Sequence, residues 1–135
     1  AAALPRLDNL RVLIVDDEAD ARDLLMAVLM QQGAQVTAAA TVAEAVENFQ
    51  TQAPDLIVSD IEMPDEDGFS LIKKLRAFNQ TRERKIPAIA LTAHARPSER
   101  LKILSAGYQT HLAKPVETAE LLAVIASFAD LNSEK

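Results

Sequence analysis

Short apolar runs alternate along this chain with longer segments in which apolar residues recur every three or four positions. Runs of four or five such residues, bounded by polar or turn-forming residues, are typical of β-strands. Five are predicted here: residues 11–15, 35–39, 56–59, 88–91 and 110–113. Each is followed by a segment with the period of an α-helix. In the first of these segments Ala21, Leu24, Leu25 and Val28 are predicted to share the buried face, and Gly33 to end the helix.

Residues with known preferences for helix ends mark the other helices. The sequence Thr41-Val42-Ala43-Glu44 has the form of a capping box and predicts a helix that continues towards Gln52. Pro97 suits the first turn of a helix that Gly107 ends. Two further segments carry apolar stripes at helical spacing: Leu71, Ile72, Leu75 and Phe78, and then Leu121, Val124, Ile125 and Phe128. Residues 63–68 and 79–85 are predicted to be solvated loops.

Five strands that alternate with five helices predict an α/β sandwich with a parallel sheet and helices on both faces. A chain of 135 residues with 49% hydrophobic residues fits one compact domain. We place this domain at residues 10–130, with a linker or tail at residues 1–9 and a C-terminal tail at residues 131–135.

Composition excludes several classes of function. Lys and Arg number 14 against 20 Asp and Glu, and this net charge of −6 argues against direct binding to nucleic acid. The absence of cysteine excludes disulfides and thiol chemistry. The apolar stretches are too short to span a bilayer, so no membrane insertion is predicted. We expect a cytoplasmic protein.

Polar residues of several kinds follow four of the predicted strands. Asp16 and Asp17 follow the first strand, Asp60 the third, Thr92 the fourth and Lys114 the fifth. Because parallel strands end at the same edge of a sheet, these side chains are expected to meet there. Acids, a hydroxyl and an ammonium group together suit the handling of phosphate.

The same residues belong to motifs that together resemble the response regulator receiver domain of two-component signalling. The resemblance covers residues 11–128 and rests on five motifs in order: VDDE, SDIEMPDEDG, LTA, AGY and LAKP. No single motif is specific, but their order and spacing are. The resemblance implies a flavodoxin-like, three-layer sandwich with strand order 2-1-3-4-5 and five helices.

The resemblance also implies a phosphoacceptor and a metal site. Asp60 would be the nucleophile that forms an aspartyl-phosphate. Asp17, Asp60 and the backbone carbonyl of Glu62 would bind Mg²⁺, or Mn²⁺ in its place, with Asp16 acting mostly through water. In the alternative interpretation, Asp16 and Asp17 only cap the first helix, whose N-terminus favours acids.

Three further positions match groups that bind the phosphoryl oxygens in this family. By similarity Thr92 would donate its hydroxyl, Ala93 its backbone amide and Lys114 its ammonium group. Pro115 matches a proline whose preceding peptide bond is cis. Taken singly, a strand-end threonine and a surface lysine remain open as alternatives.

Phosphorylation is expected to draw Thr92 inward and to change the surface of the fourth helix and fifth strand. Most relatives have an aromatic residue where this chain has His111, which could pack there and titrate near neutral pH, or could simply be an exposed histidine. Glu62 and His94 lie two residues after Asp60 and Thr92, where relatives tune the rate of dephosphorylation. Both could instead be solvated side chains.

The predicted function is therefore a receiver that assists its own phosphorylation and autodephosphorylation without being an enzyme in the usual sense. A histidine kinase or histidine phosphotransfer domain would donate the phosphoryl group near the first helix. A homodimer through the fourth helix, fifth strand and fifth helix is a further expectation. Residues 4–25 and 107–122 resemble receivers at the C-terminal end of hybrid sensor histidine kinases, while a stand-alone or excised regulator stays open.

Two rival functions fit the sequence less well. A haloacid dehalogenase-type phosphohydrolase also uses an aspartate nucleophile, but it carries a second acid in the pattern Asp-x-Asp, where this chain has Glu62 followed by Met63-Pro64. A receiver that serves only as a docking scaffold would not need Asp17, Asp60, Thr92 and Lys114 together.

Overall fold

The computed structural model of the chain describes residues 4–79, 86–94 and 96–133. Five strands alternate with five helices in the order β1 (Arg11–Val15), α1 (Ala19–Gln31), β2 (Gln35–Ala39), α2 (Val42–Gln52), β3 (Leu56–Asp60), α3 (Gly68–Asn79), β4 (Ala88–Thr92), α4 (Pro97–Ala106), β5 (Thr110–Ala113) and α5 (Thr118–Ser133). All strands are parallel and lie in the order β2-β1-β3-β4-β5. The predicted fold class and strand order are confirmed.

The central strands are apolar throughout because helices cover both faces of the sheet. Every residue of β3 and β4 is buried, whereas the edge strands β2 and β5 are only partly buried. This is the pattern expected for a parallel sheet between two helical layers. The register pairs Asp60 with Leu91, and Thr92 with Ala113, so the ends of three adjacent strands lie side by side.

Two hydrophobic cores fill the sandwich, one on each face of the sheet. The first lies beneath α2, α3 and α4 and includes Phe49, Leu71, Leu75 and Ile103. The second lies beneath α1 and α5 and includes Leu25, Leu29, Leu121, Leu122 and Ile125. The predicted apolar stripes of α3 and α5 therefore face the core.

The predicted buried face of α1 is partly wrong. Leu24 was expected in the core, but it is 64% exposed. The prediction is confirmed for Leu25, which is buried, and Leu29, four residues further along the same helix face, is buried as well. Leu24 is rotated about 100° from Leu25 around the helix axis and so points to solvent.

The chain ends also differ from the predicted tails. Leu7 is only 3% exposed, its amide donates to the Gln32 carbonyl at 2.7 Å, and the Asn9 amide donates to Gly33 at 3.1 Å. Leu7 therefore packs on the domain, and α5 extends to Ser133, past the predicted boundary at residue 130. The predicted loop at residues 80–85 and the tail at residues 134–135 lie outside the described residues. Among the described helices, none is both long and apolar enough to cross a membrane.

The capping box of α2 is present. The hydroxyl of Thr41 accepts a hydrogen bond from the Glu44 amide at 3.1 Å. The Glu44 carboxylate accepts one at 3.1 Å from the amide of Ala40, one residue before Thr41. Two amides that would otherwise lack partners at the helix start are thereby satisfied.

Replacing Thr41 with Ala should lower the free energy of unfolding by about 1 kcal/mol, because the cap of α2 is lost. The measurement is the midpoint of urea unfolding, with the dependence of the unfolding free energy on urea concentration (the m-value) unchanged. Thr51→Ala is the matched control, since the Thr51 hydroxyl only donates back to the Glu47 carbonyl within the same helix. Equal midpoints for the two variants would show that the cap contributes nothing.

Candidate functional site

The carboxyl ends of β1, β3, β4 and β5 meet at one edge of the sheet. Asp16 directly follows β1, Asp60 ends β3, Thr92 ends β4 and Lys114 directly follows β5. Asp16, Asp60 and Thr92 are at most 2% exposed. Buried polar side chains are rare in a core unless they are paired, so their convergence marks this edge as the candidate site.

Three carboxylates form a compact acidic cluster at this edge. One oxygen from each of Asp16, Asp17 and Asp60 lies within 4.8 Å of the others, so the three could hold a metal ion. Oδ2 of Asp16 and Oδ1 of Asp60 are buried and have no hydrogen-bond partner among the described residues. Buried, unsatisfied carboxylate oxygens fit a hard divalent cation such as Mg²⁺.

The alternative role of Asp16 and Asp17 as helix caps is not what the structure shows. Oδ1 of Asp16 accepts the Glu18 amide at 3.0 Å, which fixes the loop before α1. Glu18 itself occupies the cap position, and no side chain forms a cap hydrogen bond there. The second oxygen, Oδ2, lies 3.8 Å from Nζ of Lys114.

Lys114 supplies the positive charge of the site. Its Nζ lies 3.0 Å from Oδ2 of Asp60 and 3.8 Å from Oδ2 of Asp16. Burial raises the pKa of Asp60, and the hydrogen bond and charge of Lys114 oppose this only in part. Burial acts to lower the pKa of Lys114, but the hydrogen bond and charge of Asp60 raise it overall, so the ammonium form is maintained. The peptide bond between Lys114 and Pro115 is cis.

The hydroxyl of Thr92 already has partners at the rim of the site. It lies 3.2 Å from Oε1 of Glu62 and from the carbonyl of His94, and it accepts the His94 amide at 2.9 Å. The Nε2 atom of His94 lies 3.8 Å from Oε1 of Glu62. Both side chains are largely exposed and flank Thr92, while Ala93 follows Thr92 on the exposed surface.

His111 lies on β5 beside Ala90 of β4 and is partly buried. Its Nδ1 is buried and has no hydrogen-bond partner in the described part of the chain. A simple exposed histidine does not fit this burial. It lies near the start of β5, three residues before Lys114 and therefore farther from the carboxyl edge of the sheet.

Three residues near the site were not predicted to have specific contacts. Oδ1 of Asp67 accepts the amides of Phe69 and Ser70 and so caps α3, where only a solvated loop was expected. The buried hydroxyl of Tyr108 donates to the Gly68 carbonyl at 2.7 Å, and Ser59 donates to the Asp60 carbonyl at 2.9 Å. The position of Asp67 directly before α3 is a signal in the sequence for a helix cap. The contacts of Tyr108 and Ser59 have no such signal, because they depend on tertiary structure.

This sheet edge and its residues define a class of signalling domain. The family model of the response regulator receiver domain matches residues 12–126, and the chain belongs to this family. Its fold is that of the solved receiver domains, including a Francisella response regulator 1452 receiver domain, which superposes with a TM-score of 0.84 at 29% identity over 92% of this chain and 99% of that one.

Two relatives show different contexts. The chain is 40% identical over 122 residues to a protein of Leptolyngbya boryana named "Uncharacterized 14.6 kDa protein in sodA1 3'region", covering 90% of this chain and 92% of that protein. It is 35% identical to hybrid signal transduction histidine kinase D of Dictyostelium discoideum, over 85% of this chain but only 8% of the kinase.

Replacing Asp60 with Asn should raise the melting temperature of metal-free protein by a few degrees at pH 7.5. The folded protein raises the pKa of this carboxyl above 3.8, so the stability present below pH 3.8 is lost as pH rises through the folded-state pKa. Asn removes that loss, although it also weakens the contact with Lys114. The gain should therefore shrink as pH falls towards 3.8.

The measurement is thermal unfolding in a chelating buffer across this pH range. Asp65→Asn is the matched control, because Asp65 is exposed on the loop between β3 and α3. A wild-type protein that is more stable than Asp60→Asn at pH 7.5 would contradict the desolvation argument.

Proposed function

We propose that this chain is a phosphoacceptor receiver, which takes a phosphoryl group from a phosphohistidine donor onto Asp60 and then switches conformation to relay a signal. The observation that carries the proposal is the buried Asp60 carboxylate, 3.0 Å from an ammonium group and within 4.8 Å of two other carboxylates. The family match supports a signalling role instead of substrate turnover.

The reaction transfers phosphorus from nitrogen to oxygen. A carboxylate oxygen of Asp60 attacks the phosphorus atom, the bond from phosphorus to the donor imidazole breaks, and the imidazole leaves with the bonding electron pair. The product is an aspartyl-phosphate. Its hydrolysis by water, assisted by the same groups, would return the free carboxylate.

Charge neutralisation is the main task of the protein in this transfer. Lys114 would neutralise one phosphoryl oxygen, while the Thr92 hydroxyl and the Ala93 amide would donate hydrogen bonds to others. Asp17, Asp60 and the carbonyl of Glu62, with Asp16 through water, would hold Mg²⁺ or Mn²⁺. When bound, the ion would offset repulsion between the carboxylates and the incoming phosphoryl group.

The signal would start at Thr92. Its hydroxyl now contacts Glu62 and His94, and it would exchange these contacts for a phosphoryl oxygen. The loop from β4 to α4 would follow, which favours a second conformation of α4 and β5. We propose that His111, partly buried on β5, has a packing role and fills the space that Thr92 would vacate.

The rival functions have less support. Glu62 lies where a phosphohydrolase of the haloacid dehalogenase type has its second acid, but its carboxylate contacts Thr92 beside the site. The family match favours a receiver over such an enzyme. A purely structural docking role would leave the acidic cluster and the Lys114 contact without a purpose.

We infer a histidine kinase or histidine phosphotransfer domain as the partner. An apolar groove of about 240 Å³ beside Asp16 and Lys114 supports a docking site there, since Leu24, Val28 and Val116 line it.

Exposed Leu101 and Leu104 support a homodimer through α4, β5 and α5. A cytoplasmic location and an origin in a hybrid sensor kinase fit these proposals, and direct nucleic-acid binding does not fit the net charge of −6.

Incubation with Mg²⁺ and acetyl phosphate should add one phosphoryl group to the wild-type chain and none to Asp60→Asn. Intact mass spectrometry measures both, and Asp65→Asn serves as a control that should be phosphorylated normally. A phosphoryl adduct on Asp60→Asn, or none on any of the three proteins, would overturn the proposal.

The pair Glu62 and His94 should set the lifetime of the aspartyl-phosphate, because their side chains flank Thr92 at the exposed rim. The double variant Glu62→Ala, His94→Ala opens this rim to water and should shorten the lifetime about tenfold, a barrier change of roughly 1.4 kcal/mol. Mg²⁺ affinity should stay unchanged, since only the backbone of Glu62 is proposed as a ligand. An unaltered lifetime by time-resolved mass spectrometry would refute this role.

A further inference from the structure

Helix α4 is attached to the rest of the domain much more firmly at one end than at the other. Among its ten residues only Ile103, in the C-terminal half, is fully buried. Leu101 is 67% exposed and Leu104 is 37% exposed. Little apolar burial therefore opposes movement of the N-terminal half, which follows the loop after Thr92.

Tyr108 fixes the chain directly after the C-terminal end of α4. This side chain is only 3% exposed, and its hydroxyl donates to the Gly68 carbonyl at 2.7 Å across 40 residues of sequence. Burial raises the pKa of Tyr108. The phenol thus stays a hydrogen-bond donor at neutral pH.

Gly68, the acceptor of this bond, packs against the backbone of the phosphoacceptor. A Cβ atom at this position would lie 2.7 Å from the carbonyl oxygen of Asp60 and 2.9 Å from Cα of Ile61. The Gly68 amide also donates to the Ile61 carbonyl at 2.9 Å, which closes the loop between β3 and α3. A shift of Gly68 would therefore displace the backbone of Asp60 and Ile61.

Arg76 forms a second set of contacts, which hold the connection from α4 to β5 and do not involve the loop between β3 and α3. Arg76 on α3 donates to the Gly107 carbonyl at 2.7 Å and to the Ile86 carbonyl at 2.6 Å. It also donates to the side chain of Gln109 at 3.0 Å. The hydrogen bonds of Arg76 thus fix the connection from α4 to β5, whereas the hydrogen bond of Tyr108 reaches Gly68.

We propose that Tyr108 is a positioning residue for the phosphoacceptor site, because its hydroxyl links the loop after Asp60 to the C-terminal end of α4. The inference rests on the proposed function and extends it. The N-terminal end of α4 would respond to the site through Thr92, and the C-terminal end would be held through Tyr108. Site occupancy and the position of α4 would then be coupled at both ends of the helix.

Tyr108→Phe tests this directly, since it removes only the hydroxyl and preserves the buried ring. The loop after Asp60 also carries the carbonyl of Glu62, so the affinity for Mg²⁺ should fall about threefold to tenfold, the factor expected for losing one hydrogen bond. Isothermal titration with Mg²⁺ alone measures this. Hydrogen exchange in residues 97–106 should also change less on phosphorylation than it does in the wild type.

Arg76→Lys is the control, because it weakens the connection from α4 to β5 without removing the bond to Gly68. It should lower stability to urea and leave Mg²⁺ affinity unchanged. Equal Mg²⁺ affinities and equal exchange changes in Tyr108→Phe and wild type would overturn the inference while leaving Asp60 phosphorylation intact. A wild-type chain that gains no phosphoryl group would instead refute the proposed function.

Discussion

The contact between the Lys114 ammonium group and the buried Asp60 carboxylate is the constraint on which the site depends. Three carboxylates share this edge, and burial raises the pKa of one of them, Asp60. One cation at 3.0 Å compensates for only part of the charge, which leaves buried acceptor oxygens without partners. A site with this excess of negative charge is suited to bind a divalent cation and, with it, a phosphoryl group.

The fold makes that contact possible through its sheet register. Lys114 directly follows β5, which is separated from β3 by β4, so its side chain must reach across the end of β4 towards Asp60. The pairing of Thr92 with Ala113 sets the two strand ends level. Because the central strands are buried on both faces, a shift by one residue would move apolar side chains to the wrong layer, and the register is therefore strongly specified.

Rigidity and mobility are unequally distributed around this edge. Strands β3 and β4 are completely buried, and Asp60 is the last residue of β3, so its backbone is fixed by the packed sheet. Helix α4 buries one residue fully, and Tyr108 and Arg76 fix the connection that follows it. A conformational change that starts at Thr92 would therefore disrupt little packing at the N-terminal end of α4. The C-terminal end would be held by the hydrogen bonds of Tyr108 and Arg76.

The sequence by itself determined the five strands, most helix ends and the residues that meet at the site, because strand-sized apolar runs, capping residues and strand-end polar groups are local patterns. It also identified Thr41 and Glu44 as a cap from their spacing alone. Tertiary structure decided which of two adjacent leucines, Leu24 or Leu25, faces the core, and whether Leu7 packs on the domain. It also decided that Tyr108 reaches Gly68. These outcomes depend on contacts between residues that are far apart in the sequence. A local pattern of apolar and polar residues does not specify which distant segments will be in contact.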